Sequence, residues 1–213
     1  MNMEDRKQHW EKIYTSKPLQ EVSWYQPVPE TSLSFFKKLH IPFDARIIDI
    51  GGGDSLLVDH LLDLGYMDIT VLDISAAALE RAKVRLGTRH SHVKWIVADI
   101  NEFEPEEQYD FWHDRATFHF LTSETEVRHY VETVSRCLAP DGVFVVGTFS
   151  ENGPEKCSGY TVHRYSEDEM TGLLEAYFQK IFCIPATHQT PFDTYQEFIF
   201  CSFRKPAATA IPA

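Results

Sequence analysis

An apolar run, Arg46–Ile50, ends directly in three consecutive glycines, Gly51, Gly52 and Gly53. Within a few residues the chain takes up helical spacing, with Leu56, Leu57, His60, Leu61 and Leu64 on one face and Gly65 as a stop. A strand that passes through glycines into a helix constrains the fold more than any other feature here. The glycines permit positive φ and let a ligand approach the backbone closely, and the helix start after Ser55 presents free N–H groups.

The same alternation continues along the chain. Ile69–Leu72 is strand-like, and Ser75 caps a helix carrying Leu79, Ala82 and Leu86 that ends at Gly87. Val93–Val97 and Tyr109–His113 are further strands. Val127, Tyr130, Val131, Val134 and Leu138 mark a helix whose start can be capped by Thr122 or Ser123, with Glu126 three residues after Ser123 completing a capping box. A turn at Pro140-Asp141-Gly142 leads into the buried strand Val143–Phe149, and a Ser166-capped helix is expected over Glu167 to Tyr177. Ile181–Ile184, extending past Pro185, and Gln196–Phe203 have no helix between them and should pair as an antiparallel hairpin at one end of the sheet. Repeated β-α units with near-continuous apolar strands predict a doubly wound parallel α/β sheet covered by helices on both faces. The first 40 residues stand outside the repeat: His9 to Tyr14 and Glu30 to Leu39 read as helices flanking an aromatic loop around Trp24 and Tyr25.

A chain of 213 residues with 43% hydrophobic content forms one large core, so a single domain over residues 1–205 is expected, followed by a Pro/Ala-rich flexible tail, 206–213. Twenty Lys and Arg against 32 Asp and Glu leave a net charge of −12, which repels phosphate backbones and argues against nucleic acid as a partner. No apolar run has membrane-spanning length, and the polar N-terminus predicts a cytoplasmic protein. Cys137, Cys157, Cys183 and Cys201 lack metal-ligand spacing, so no metal is expected and the four are read as isolated reduced thiols.

Three acids stand at strand ends. Asp49 precedes the glycines, Asp73 closes the second strand twenty residues beyond Gly53, and Asp99 follows the third strand. In open α/β sheets an acid at the place of Asp73 binds a ribose hydroxyl pair. A dinucleotide loop of the form G-x-G-x-x-G/A wants a small third residue, but Leu56 stands there; the spacing is Gly51-x-Gly53-x-Ser55. Asp49 and Asp54 also make the loop acidic, which suits a cationic ligand better than a pyrophosphate. S-adenosylmethionine, with its sulfonium, ammonium and ribose, meets that description.

Four segments in order, Asp49-Ile50-Gly51-Gly52-Gly53-Asp54-Ser55, Val71-Leu72-Asp73-Ile74-Ser75, Val97-Ala98-Asp99-Ile100 and Phe111-Trp112-His113-Asp114-Arg115-Ala116, resemble the motifs of the class I S-adenosylmethionine-dependent methyltransferases, in particular small bacterial-type members. The resemblance implies a Rossmann-like seven-stranded sheet of order 3-2-1-4-5-7-6 with strand 7 antiparallel. It implies that Asp49, Gly51, Gly53 and Ser55 hold the methionine part of S-adenosylmethionine, that Asp73 and Ile74 hold the ribose, and that Asp99 and Ile100 flank adenine, with His113 nearby. Ser55 stands where a third glycine is common in the family. Trp24 and Tyr25 resemble a segment that caps the methionine end; packing of the N-terminal helices is the competing reading for them and for Trp10 and Tyr14.

The segment after the fourth strand lies at the carboxyl edge of the sheet. His113 and His119 are its candidates for a base or a positioning group, needed only if the acceptor arrives protonated. Asp114 and Arg115 could pair at the rim. Arg115, Phe118, Cys157, His163 and Tyr165 are candidate substrate contacts, and residues 150–165 a candidate lid. His188, Thr190, Phe192 and Tyr195 are further candidates for the pocket wall. The expected function is methyl transfer to a small-molecule acceptor, a thiol or other soft nucleophile. The alternatives are a protein lysine side chain, suggested by the His9–Tyr14 and Trp24-Tyr25 segments, and a non-catalytic S-adenosylmethionine-binding module.

Overall fold

The computed structural model describes residues 3–105 and 107–207. Each apolar run becomes a strand: β1 (Ile47–Ile50), β2 (Ile69–Asp73), β3 (Val93–Val97), β4 (Tyr109–Arg115) and β5 (Leu138–Phe149). A two-stranded hairpin, β6 (Lys156–Cys157) and β7 (Tyr160–Thr161), stands apart from the sheet, and β8 (Gln179–Gln189) and β9 (Tyr195–Arg204) complete it. The seven-stranded order is β3-β2-β1-β4-β5-β9-β8. With the small hairpin left out, this is the expected 3-2-1-4-5-7-6. β1 to β5 run parallel, and β9 is antiparallel to both its neighbours. The order reverses at β1, between β2 and β4, so a crevice opens at the carboxyl ends of those strands.

Side-chain alternation builds two cores. Ile48, Ile50, Trp112, Phe144 and Val146 point to one face, where α5 (Glu124–Cys137) and α6 (Glu167–Leu174) supply Tyr130, Val134, Met170 and Leu174. Ile47, Val71, Phe111 and Val145 point to the other, against Phe35 and Phe36 of α2 (Glu30–Lys38), Leu57 and Leu61 of α3 (Leu57–Leu64), and Leu79 of α4 (Ala76–Leu86). The expected caps form: the Ser75, Ser123 and Ser166 hydroxyls accept the N–H of Ala78, Glu126 and Glu169, and Gly65 ends α3 at φ 98°. The Glu126 carboxylate accepts from the Ser123 hydroxyl at 3.0 Å and so closes the box through side chains. Among the described residues no helix is long and apolar enough to cross a membrane.

Several boundaries differ from expectation. The first helix, α1, runs over Met3–Ser16, well beyond His9 to Tyr14, and α6 stops at Leu174, short of Tyr177. Asp141 takes φ 62° as a turn residue would, yet β5 starts before it, at Leu138, because Leu138 pairs with Tyr109 across a bulge. β8 does continue through Pro185, which an edge strand tolerates. Pro206 and Ala207 follow β9 as exposed coil; residues 208–213 of the expected tail lie outside the described residues.

The reading of four isolated thiols is corrected. Cys183 and Cys201 are direct partners across β8 and β9, with Cα atoms 4.1 Å apart, and are joined by a disulfide. Cys137 and Cys157 remain buried thiols. The pairing follows from strand register, which residue spacing does not display.

Candidate active site

Because β1, β2 and β3 lie side by side, their terminal acids meet in one crevice. Asp49, Asp73 and Asp99 are all buried and line a single cavity with Gly51, Gly52, Ser55, Ile74 and Ile100. Asp73 accepts the Ser75 N–H at 2.8 Å. Burial above all, with Asp54, Asp49 and Glu11 nearby adding repulsion, pushes its carboxyl up to about 7. Asp99 accepts from the Asn101 N–H at 2.9 Å and from Arg6 at 3.2 Å.

His113 completes a buried chain: Nδ1 lies 2.7 Å from Asp49 Oδ1 and Nε2 lies 2.9 Å from Ser32 Oγ. With Asp49 ionised, Nδ1–H donates to the carboxylate and Nε2 accepts from the Ser32 hydroxyl. Both ring nitrogens are therefore engaged, and the ring orients Asp49.

The glycine loop is shaped by what surrounds it. Gly51 has φ 63°, and a Cβ there would meet Thr117 Oγ1 at 1.8 Å. Gly53, expected at the ligand, is not among the lining residues: it has φ 48°, and a Cβ there would meet the Tyr14 hydroxyl at 2.7 Å and Asp73 Oδ2 at 3.0 Å. Asp54 departs from the sequence picture of an acid facing the ligand: it pairs with Arg81 at 2.8 Å and is not part of the cavity lining.

The N-terminal segment forms the roof. Arg6, Trp10 and Tyr14 stand four residues apart on one face of α1, and all three line the cavity. Arg6 bridges Asp99 and Glu126. The Glu11 carboxylate accepts from the Ser75 hydroxyl and from the Ala76 and Ala77 N–H groups at 2.7–3.1 Å, seated on the positive end of α4. Arg81 donates to the carbonyls of Tyr14 and Lys17, both at 2.8 Å. Trp24 meets Trp10 and Tyr14 edge-on at 5.7 and 6.0 Å, so Trp24 both packs the helix and faces the cavity, as does Tyr25 along its wall. The latching roles of Arg6 and Glu11 were not read from the sequence. The four-residue spacing of Arg6, Trp10 and Tyr14 was the available signal; Glu11 had none.

At the other end the expectations divide. Arg115 and Cys157 line the cavity. His119 does not: it is fully buried, Nδ1 accepts the Phe149 N–H at 3.3 Å, and burial pushes the ring down to about 3. Phe118 packs in the opposite core, 4.9 Å from the Tyr130 ring, and the Tyr165 ring lies tilted beside it at 5.3 Å. His163 pairs with Glu169 at 2.6 Å, away from the cavity. The reason lies in the length of β4, which runs two residues beyond His113. Alternation sends Asp114 to the α5 face, where it accepts from the Tyr130 hydroxyl at 2.6 Å, while Arg115 points to the face of His113. The two therefore form no rim ion pair. Burial pushes Asp114 up to about 6. Within 150–165, Cys157 faces the cavity and the Tyr160 ring lies 4.2 Å from His9. His188, Thr190, Phe192 and Tyr195 are not among the lining residues; His188 instead donates to the Ser23 carbonyl at 2.7 Å and ties the edge hairpin to the aromatic loop.

A switch-point crevice with three strand-end acids and a glycine loop, under this sheet order, defines a Rossmann-like methyltransferase fold. Residues 47–142 match the family model of a methyltransferase domain. That segment contains all four motifs, and over it the chain is similar to the S-adenosylmethionine-dependent methyltransferases. It is 32% identical over 138 residues to the mouse (Mus musculus) eEF1A lysine and N-terminal methyltransferase, a match covering 63% of this chain and 19% of that protein. It is 30% identical over 80 residues to nodulation protein S of Bradyrhizobium diazoefficiens, covering 38% of each. The crystal structure of the N-methyltransferase NodS from Bradyrhizobium japonicum with bound S-adenosyl-L-homocysteine superposes with a TM-score of 0.70 over 97% of this chain and 100% of that one, at 19% identity. The chain thus spans about a fifth of the length of the first curated relatives it matches.

Proposed function

We propose that this chain transfers a methyl group from S-adenosylmethionine to a small-molecule acceptor, with a thiol or other soft nucleophile as the accepting atom. The observation that carries the reading is the roof. α1 and the Trp24-Tyr25 loop cover the three acids, which suits an enclosed small molecule better than a protein surface. The residues fit the cofactor: the glycine loop reaches the cavity through Gly51 and Gly52 with bare backbone, and Asp73 is a buried carboxyl on the same wall. When bound, S-adenosylmethionine supplies a methyl group activated on a sulfonium.

In this reading Asp73 and Ile74 hold the ribose and Asp99 and Ile100 flank adenine. Asp49, Gly51, Gly53 and Ser55 hold the methionine part, with His113 fixing Asp49. Trp24 and Tyr25, with Trp10 and Tyr14, exclude water and place aromatic faces toward a cation, an attraction worth about 0.5–2 kcal/mol. A soft nucleophile is favoured because, with Asp73 taken up by the ribose, the cavity offers no free base. His113 is engaged at both nitrogens, and burial holds Tyr14 as a phenol and Cys157 as a thiol, the latter pushed up to about 11. Residues 150–165 act as the cover on the acceptor side.

The relative named for lysine and N-terminal methylation of eEF1A supports a second reading, a protein side chain as acceptor. Labelled S-adenosylmethionine incubated with the protein and a cell extract separates the two: label in the small-molecule fraction is expected, and label confined to protein overturns the first reading. A cytoplasmic location belongs to the same proposal and is checked by fractionation of the tagged protein.

A further inference from the structure

Arg115 ends β4, and its guanidinium turns away from the nucleoside half of the crevice. Asp49, Asp73 and Asp99 stand on or beside β1, β2 and β3, on one side of β4. The Arg115 guanidinium lies on the other side, 5.1 Å from the ring of Phe198 on β9, and Nη1 donates to the Trp24 carbonyl at 3.2 Å. Nη2 is buried at the cavity wall with no hydrogen-bond partner.

No direct ion pair balances the charge. Among the described residues no carboxylate forms an ion pair with Arg115. Asp49 lies within its field but is bonded to His113. The other titratable neighbours are neutral: burial and Arg115 itself push His119 down to about 3 and lower His188, and burial raises Cys157 to about 11. A buried cation with an unmade donor is costly unless a ligand supplies the missing anion, and a guanidinium is shaped to take a carboxylate.

We propose that Arg115 Nη2 receives a carboxylate carried by the methyl acceptor, so that the acceptor is an anionic small molecule. The inference rests on the methyl-transfer reading above. The rival source of the same chemistry is the methionine carboxylate of the cofactor; the position over β9 favours the acceptor.

The test uses the full chain as wild type, Arg115→Met and Arg115→Lys. S-adenosylhomocysteine and 5′-methylthioadenosine, which lacks the carboxylate, are titrated by calorimetry. Each S-adenosylhomocysteine-saturated protein is then titrated with 3-mercaptopropionate and with uncharged 2-mercaptoethanol. The expected result is S-adenosylhomocysteine affinity within twofold across the three proteins. Wild type should prefer 3-mercaptopropionate at least tenfold, with the preference lost in Arg115→Met and partly kept in Arg115→Lys, whose charge also guards against misfolding. A tenfold loss of S-adenosylhomocysteine binding in Arg115→Met with methylthioadenosine unchanged would assign the arginine to the cofactor and overturn the proposal. Absence of any carboxylate preference in the wild type overturns it as well. If the wild type binds neither nucleoside, the methyl-transfer reading itself falls, and this proposal with it.

Discussion

Asp73 concentrates the electrostatics of the site in one carboxyl. Burial raises it to about 7, so it is partly protonated at neutral pH, whereas a ribose hydroxyl pair needs the ionised form as acceptor. Proton release is then linked to binding. S-adenosylhomocysteine affinity should climb several-fold between pH 6 and pH 8 and level off above, and calorimetry on Asp73→Asn should show a flat profile with at least tenfold weaker binding. In the unliganded protein the sign is opposite. A folded-state pKa above the unfolded one makes this group's contribution to stability fall as pH rises from about 4 to about 7, and Asp73→Asn should remove that part of the slope in denaturant titrations. At Gly51 a side chain meets both positive φ and Thr117, so Gly51→Ala should destabilise by about 1–3 kcal/mol, read as a lower thermal midpoint. Asp49, Asp73 and Asp99 were legible in the sequence because strand ends are legible. The fates of His119 and Phe118 were not, because the apolar pattern after β4 does not reveal which face the chain turns under.

Among the elements, α1 is held by the rings of Trp10 and Tyr14 and by polar contacts: Arg6 to Asp99 and Glu126, Glu11 to the start of α4, and Arg81 to the α1 carbonyl of Tyr14. The polar contacts are individually modest, so α1 is expected to open and admit ligand more readily than the central strands. Glu11→Gln removes a negative charge from a helix N-terminus and should cost about 0.5–1 kcal/mol of stability. Limited proteolysis should then cleave α1 faster than in the wild type, with S-adenosylhomocysteine restoring protection. The caps and the helical stripes were readable from residue types and spacing. The extension of α1 to Met3–Ser16 was not, since Arg6, which lies in the added part, finds its partners on α5 and just after β3.

Over the whole molecule, the rigid part and the binding part are separated by position in the sheet. β1, β4 and β5 are flanked on both sides by other strands and covered on both faces, whereas β8 is an edge. Hydrogen exchange should be slowest in β1, β4 and β5 and faster in α1 and the β6–β7 hairpin. Added S-adenosylhomocysteine should slow α1 and the glycine loop in preference to β8; equal slowing everywhere would contradict a ligand seated under α1. The surface charge of −12 belongs to this scale too, and it bears on which partners approach rather than on the fold.

The strand-helix alternation, the glycine loop and the strand-end acids are local or short-period features. Hydrophobic periodicity and turn chemistry were therefore enough to determine the fold class and to put three carboxylates at strand ends, while the strand order that brings them together was implied by the family resemblance. Which side chains share a cavity is decided by strand register and by the face each residue takes. Only the folded chain could set Cys183 against Cys201, bury His119 away from the crevice, seat Glu11 on α4 and leave the guanidinium of Arg115 without an anion. Those outcomes depend on contacts between residues far apart in the chain, whose geometry no local pattern encodes.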